Sequence, residues 1–591
     1  MTSRIAFLIL AFLATGLTAP GLIPFSLVYS TYLGGSNWEH ARDIYTDAAG
    51  YTYIVGGTGS NNFAGASSFP GPNVYNAGQP NSAGDGAFGG CDVFITKMSP
   101  SGQVLWTKYM GGKNYDRAYA LELDPAGNIY LAGRAGRGFP MVNALQSTFS
   151  GTSSPSSYGD QNAFVAKLNS AGTVLWSTYL GTGELARDIA IDPAGDVYVP
   201  LVLATTSSRT AFSTPALSAF QGKFFNSPPT TNTNDVGLVK LRSDGTGVIW
   251  ARWIGGTGSE VTNPSIRVNA AGEAHLLFST TSTSASLPAV GTGVQTNNGG
   301  ADDSYVAKFA ADGASLIYGT YLGGTGSEAH ETHSLALDAA GNAVVAIHTS
   351  STNFPISPGA LNSPTRGGND IAVVKYSASG VRLLSAVVGG SGGENPDGVY
   401  VDANGRVFLS FETTSTNFPV TPGAFDLTAN GSNDGGFLVL SSDLTQLEYS
   451  TLFGGALYDN ARTMYLSNDG SVYLTGGTLS TNLPTLNAYD PTFNGGSHPN
   501  APGSGDAWVA RFVNDTNTSL KVRQIAPQPN GAIKVSFSRI PGLGYRIQSR
   551  DDLTQGIWQD RATVSPDAPA DYDFTDPAPL PQKRFYRAIA P

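Results

Sequence analysis

Short runs in which apolar and polar residues alternate cover most of this chain, and glycine-rich turns separate them. A period of two predicts strands, not helices. One stretch shows the pattern in full. Arg117-Ala118-Tyr119-Ala120-Leu121-Glu122-Leu123 alternates, Asp124-Pro125-Ala126-Gly127 turns, and Asn128 to Gly133 returns. After a loop comes a second hairpin, Ala163 to Leu168 and Val174 to Tyr179, which runs into Gly181. Four antiparallel strands make one unit.

The unit recurs seven times. Its last strand ends at Tyr32-Leu33-Gly34-Gly35, Tyr109-Met110-Gly111-Gly112, Tyr179-Leu180-Gly181, Trp253-Ile254-Gly255-Gly256, Tyr321-Leu322-Gly323-Gly324, Val387-Val388-Gly389-Gly390 and Leu452-Phe453-Gly454-Gly455. The hairpin turn recurs too, as Asp47-Ala48-Ala49-Gly50, Asp192-Pro193-Ala194-Gly195, Asn269-Ala270-Ala271-Gly272, Asp338-Ala339-Ala340-Gly341, Asp402-Ala403-Asn404-Gly405 and Ser467-Asn468-Asp469-Gly470. The leading side chain accepts from backbone N–H groups and the glycine supplies a positive φ. These aspartates lack the dense spacing of calcium loops. An orphan strand, Leu27 to Leu33, precedes the first unit, while the last unit stops at Ala507 to Phe512 without its outer strand. Pairing the two closes a ring and leaves no broken edge. The expectation is an all-β chain: a seven-bladed β-propeller over 26–513 closed by its N-terminal strand. An open solenoid gives no reason for the missing piece to stand at the opposite end.

Three elements carry a family resemblance: Tyr29-Ser30-Thr31-Tyr32-Leu33-Gly34-Gly35, the turn from Asp124 to Tyr130, and Ser351-Thr352-Asn353-Phe354-Pro355. The last is echoed by Ser415 to Pro419 and Ser480 to Pro484, and is lacking in the third and fourth units. Together they resemble the bacterial SBBP-type β-propeller repeat, which implies the fold and an extracellular or cell-surface setting but no reaction. After the polar stretch Asn514 to Ser519, short strands over 520–591 resemble the small C-terminal β-sandwich modules of secreted bacterial proteins.

Composition narrows the partners. Of 591 residues only 13% are charged, Gly numbers 73, and the formal charge is −11. No basic run offers a phosphate footprint, which argues against nucleic acid. The single cysteine, Cys91, rules out an internal disulfide. Residues 1–20 read as a signal peptide, with Arg4, an apolar run from Ile5 to Leu13 and small residues to Ala19. No later segment has transmembrane length. The expectation is a soluble, exported monomer meeting an extracellular polysaccharide or a cell-surface protein.

Candidate chemistry lies in the loops between units, which a propeller gathers on one face. Each holds an acid: Glu39, Asp116, Glu184, Glu260, Glu328, Glu394 and Asp459. Seven carboxylates there would hold a cation, or each would accept from a neighbouring glycine turn. The even distribution favours the structural role. A basic residue in the third strand (Lys97, Lys167, Lys240, Lys308, Lys375, Arg511) also repeats, with Val439 the exception. Departures from the repeat are better ligand candidates: Trp38, Glu39, His40 and Arg42; Tyr115 and Asp116; Glu328, His330, Glu331 and His333; Tyr458 and Asp459. His330 and His333 form no established zinc spacing, and whether a metal binds stays open. Inserts near 58–91, 135–162 and 204–234 carry Phe63, Phe69, Tyr75, Phe149, Tyr158, Phe220, Phe224 and Phe225, which suit carbohydrate or protein contact or pin the loops down. No nucleophile elbow, metalloprotease motif or phosphate loop is present, so no cofactor is expected. Two functions remain: a binding or scaffold protein presenting a loop-rich face, or a carbohydrate-active lyase or hydrolase at the channel mouth.

Overall fold

The computed structural model describes residues 24–60, 62, 90–112, 114–153, 158–181, 185–203, 220–223, 234–364, 367–496, 505–514, 521–530, 532–538, 542–551, 557–568, 571–577 and 584–589. Every described element is a strand. The first sheet runs Glu39–Thr46, Thr52–Thr58, Asp92–Met98, Val104–Met110, hydrogen-bonded in that order. The second, fourth and sixth follow the same order from Arg117–Leu123, Glu260–Val268 and Glu394–Val401. In the third and fifth sheets the innermost strand is broken, into Leu185–Ala186 and Ala190–Ile191, and into Glu328–Ala329 and Leu335–Leu337. The seventh starts at Thr463–Leu466 and ends by pairing Asp506–Asn514 with Phe25–Leu33. That pairing runs from Leu33 opposite Ala507 to Phe25 opposite Asn514, two residues longer than the sequence pattern implies.

Packing joins each sheet to the next and the seventh to the first. Tyr29 and Val509 of the seventh share a core with Ile54 and Phe94 of the first. Trp508 is fully buried and lies 4.7 Å from Phe453 of the sixth. The result is an all-β ring of propeller type.

The turns behave as their residues require. In the first, Asp47 Oδ1 accepts from the N–H groups of Ala49 and Tyr51, both at 3.0 Å. Gly50 sits at φ +86°, and the equivalent glycines through Gly470 are all left-handed. The basic residue of the third strand answers these turns: Lys240 meets Asp192 at 2.8 Å and Lys375 meets Asp338 at 3.0 Å. Where Val439 replaces it, Arg406 reaches Asp402 at 2.6 Å instead.

Each outer strand carries one extra residue near its start. Leu105, Leu175, Ile249, Ile317, Leu383, Glu448 and Val28 fall at register shifts. Such bulges twist an edge away from foreign strands, which guards the rim. Beyond the ring, two three-stranded sheets between Lys521 and Ile589 enclose Val535, Phe537, Tyr545, Ile547 and Phe574. This unit touches the first sheet where Ser101 donates to Asp567, through N at 3.2 Å and Oγ at 3.0 Å. Among the described residues no helix is long and apolar enough to cross a membrane.

Candidate functional site

The junction acids are built into the frame. Glu39 is fully buried, accepting from Gly35 N at 3.1 Å and Thr58 Oγ1 at 2.7 Å. Asp116 accepts from Gly112 N and Gly136 N, Glu328 from Gly324 N and Thr349 Oγ1, and Asp459 from Gly455 N. Glu260 and Glu394 repeat the arrangement. The second glycine of each pair donates the N–H. The first leaves room for the carboxylates, since a Cβ on Gly34 would stand 2.5 Å from Asp506 Oδ1 and 2.6 Å from Glu39 Oε2. Burial raises Glu39 and Glu260 to about 8 and Asp116 to about 7. Glu39, Asp116, Glu328 and Asp459, expected as ligand contacts, are occupied in the junctions; Glu184 lies outside the described residues.

The centre of the ring is different. Three residues beyond the junction acid, six innermost strands are irregular. Arg42 and Tyr119 are themselves bulge residues, Asn263 and Asp397 fall within register shifts, and Arg187 and Glu331 fall in strand breaks. Arg462 is the equivalent residue in the seventh sheet. A bulge re-aims the side chain it carries. Four guanidiniums thereby surround the Tyr119 ring: Arg187 at 4.3 Å, Arg117 at 4.5 Å, Arg42 at 5.0 Å and Arg134 at 5.3 Å. Arg117 Nη2 donates to the Tyr119 hydroxyl, and His40 lies 3.0 Å from Arg117 Nη1 and 3.4 Å from Arg42 Nη1. Burial, with Arg42 and Arg117 beside it, holds His40 neutral. Burial alone would raise the Tyr119 phenol, but Arg117, Arg134, Arg187 and Arg42 draw it down to about 7. Burial and the crowding of Arg117 lower Arg42 itself to about 10. Among the described residues none of these four arginines has a carboxylate within ion-pair distance, and Nε of Arg117, Arg134 and Arg187 has no hydrogen-bond partner.

The other half of the centre is neutralised. Arg462 lies 3.6 Å from Glu331 and 4.0 Å from Glu412; Asn263 donates to Glu331 at 2.9 Å and Tyr458 to Glu412 at 3.1 Å. His330 is buried beside Ser279. His333 closes the core of the ring in a left-handed conformation, φ +66°. Its Nδ1 faces Asp188 at 3.3 Å, and its Nε2 lies 3.5 Å from Asp43 and 3.2 Å from the Tyr119 carbonyl. Burial would lower this imidazole, but Asp43 and Asp188 raise it to about 9. His333 is therefore a positive tie between sheets, separate from His330.

Similar solved structures include a protein of unknown function from Dyadobacter fermentans (12% identity, 84% of this chain and 100% of that one, TM-score 0.36). They also include the quinohemoprotein alcohol dehydrogenase from Comamonas testosteroni (10%, 84% and 78%, TM-score 0.39) and the Neurospora crassa Pan2 WD40 domain (8%, 83% and 97%, TM-score 0.36). No protein-family model and no curated protein matches the chain. Likeness at this distance carries no function, and the SBBP resemblance gains no family model.

Of the residues singled out by sequence, the centre gathers His40, Arg42, Glu331 and Tyr458. Trp38 and Tyr115 stack just outside it at 6.2 Å, packed with buried Cys91 and with Tyr158. Sequence reasoning missed Arg117, Tyr119, Arg134, Arg187 and Arg462. Aligning the seven units on the junction acid exposes the signal: the third residue on is Arg42, Tyr119, Arg187, Asn263, Glu331, Asp397 and Arg462, always polar and mostly charged. Among the described residues no three His, Cys, Asp or Glu gather as a metal site. The signal segment, Phe63, Phe69, Tyr75, Phe224 and Phe225 lie outside the described residues. The opposite face has a hollow of about 710 Å³ between the turns at Asp47, Asp124 and Asp469.

Proposed function

We propose that the seven sheets are the blades of a closed β-propeller spanning 26–513, exported after loss of residues 1–20 and followed by a β-sandwich over 520–591. In this reading the protein is a monomeric SBBP-type repeat protein that binds an acidic carbohydrate at the centre of its ring, and the sandwich attaches or spaces it. One observation carries the ligand class: Arg42, Arg117, Arg134 and Arg187 meet at Tyr119 with no carboxylate within ion-pair distance among the described residues, and Glu331, which acts on Arg42 and Arg187 from farther off, is shared with Arg462. Burying cations without counter-charge is costly. A ligand bearing carboxylate or sulfate supplies the missing charge, and guanidinium forks match such oxyanions in two-pronged hydrogen bonds. Half-buried Tyr158 adds an aromatic edge beside them, with buried Trp38 and Tyr115 packed behind it.

Calorimetry of the full chain against polygalacturonate, a sulfated glycan and neutral dextran tests this. Binding to an acidic polymer is expected, weakening as salt rises, with at least about tenfold loss in the Arg134→Gln, Arg187→Gln double variant, given the worth of charge-assisted hydrogen bonds. Equal affinity for dextran, or an unaffected double variant, refutes it.

A further inference from the structure

The same cluster holds the two groups that proton abstraction beside a carboxylate needs. Guanidiniums that bind the carboxylate stabilise the negative charge developing on its oxygens when the neighbouring carbon loses its proton. A base must stand within reach of that proton. Here both occur together: the Tyr119 hydroxyl takes a hydrogen bond from Arg117, inside a ring of four guanidiniums.

We propose that Tyr119 is the catalytic base of a β-elimination that cleaves 1,4-linked polyuronates, with Arg117, Arg134 and Arg187 holding the uronate carboxylate. This rests on reading the centre as an acidic-carbohydrate site. The step balances without a co-reactant. Tyr119 Oη, as phenolate, takes the proton from the carbon bearing the carboxylate. The electron pair left behind forms the carbon–carbon double bond, the C4–O bond breaks, and its electrons leave on the glycosidic oxygen. The phenol then returns its proton to that oxygen, which restores the phenolate. Neutral His40, between Arg42 and Arg117, positions the two guanidiniums without adding charge. Arg187 and Tyr158 are half-buried while Arg42, Arg117, Arg134 and Tyr119 are buried, so the sugar approaches from the second and third sheets. The lowered pKa of Tyr119, drawn down by the four guanidiniums around it, fits a base that is ionised near neutral pH.

The test uses the full chain with polygalacturonate, alginate and dextran. Elimination is followed by the ultraviolet absorbance of the conjugated double bond, and binding by calorimetry. The expected result is absorbance growing with at least one polyuronate and not with dextran. Tyr119→Phe should bind as the parent does but lose about 100-fold or more in rate, the usual worth of a general base. A ligand-free difference spectrum should show one tyrosinate forming near neutral pH. It should be missing in Tyr119→Phe and moved to higher pH in Arg187→Gln, which serves if the first variant does not fold. Binding without any unsaturated product overturns the base and leaves the binding site standing. Failure to bind either polyuronate overturns the base, and failure to bind the sulfated glycan as well overturns the acidic-carbohydrate site. Unchanged turnover in Tyr119→Phe, or no tyrosinate near neutral pH, overturns the base alone.

Discussion

The junctions between sheets and the centre of the ring use the same kinds of residue to opposite ends. At the junctions a buried carboxyl meets glycine N–H groups and hydroxyls, and the arrangement repeats around the ring with little change. At the centre the equivalent positions vary from sheet to sheet among Arg, Tyr, Asn, Glu and Asp, strands bulge or break, and positive charge collects on one side. A repeated solution signals a requirement shared by all sheets, which is packing. A position that stays polar while changing identity signals a requirement belonging to the ring as a whole.

Substitutions can break or sharpen this contrast. The largest effect is expected from His333→Ala, which leaves buried Asp43 and Asp188 facing each other. Removing one member of a buried ionic set costs about 3–5 kcal/mol, to be read from urea unfolding. A loss below about 1 kcal/mol would mean that the Arg267 pairing with Asp188 at 3.0 Å and the hydrogen bonds from Leu121 N and Ile266 N suffice for the two aspartates. Next comes Gly389→Ala, whose Cβ would stand 2.0 Å from Asp370 Oδ1; overpacking of this sort costs about 1–3 kcal/mol. Arg187→Gln gives up a contact with the Tyr119 ring but relieves the crowding of four guanidiniums, so stability should be unchanged or higher. If those two results exchange places, the division between frame and site is wrong.

Acidity gives a third contrast. Glu39 and Glu260, near 8 when folded, ordinarily titrate near about 4.3 in an unfolded chain. The folded state thus keeps protons that the unfolded chain has released. This contribution is complete below about pH 4 and is lost as pH rises through 7 to 8. Melting temperature should fall from mildly acidic to mildly alkaline buffer; a rise would show the junction carboxyls to be ionised in the fold. The smallest effect is expected from Arg406→Ala. Its pairing with Asp402 is part-exposed, where such bridges contribute about 0–1 kcal/mol.

Much of the frame was legible in the sequence because it repeats. The glycine pairs, the Asp-x-x-Gly turns and the strand divided between the two ends each follow from local chemistry, and Tyr32 opposite Trp508 shows the ring joined as the pattern implied. The junction acids were readable for the same reason. The centre was not. Arg117 and Tyr119 sit in an ordinary-looking alternating strand, and only the bulge at Tyr119 turns that side chain inward. Arg134 comes from the neighbouring strand. No local spacing announces that seven elements distant in sequence will meet, whereas one aligned column does.

The pairing of Phe25–Leu33 with Asp506–Asn514 also decides how the molecule answers tension. Phe25 lies opposite Asn514, so the two lengths of backbone leave the pair side by side. Pulling them apart loads the ladder one rung at a time, beginning at Phe25, instead of shearing all rungs at once. Under load the ring opens as a zipper does, at the seventh sheet, before the other six sheets feel the force.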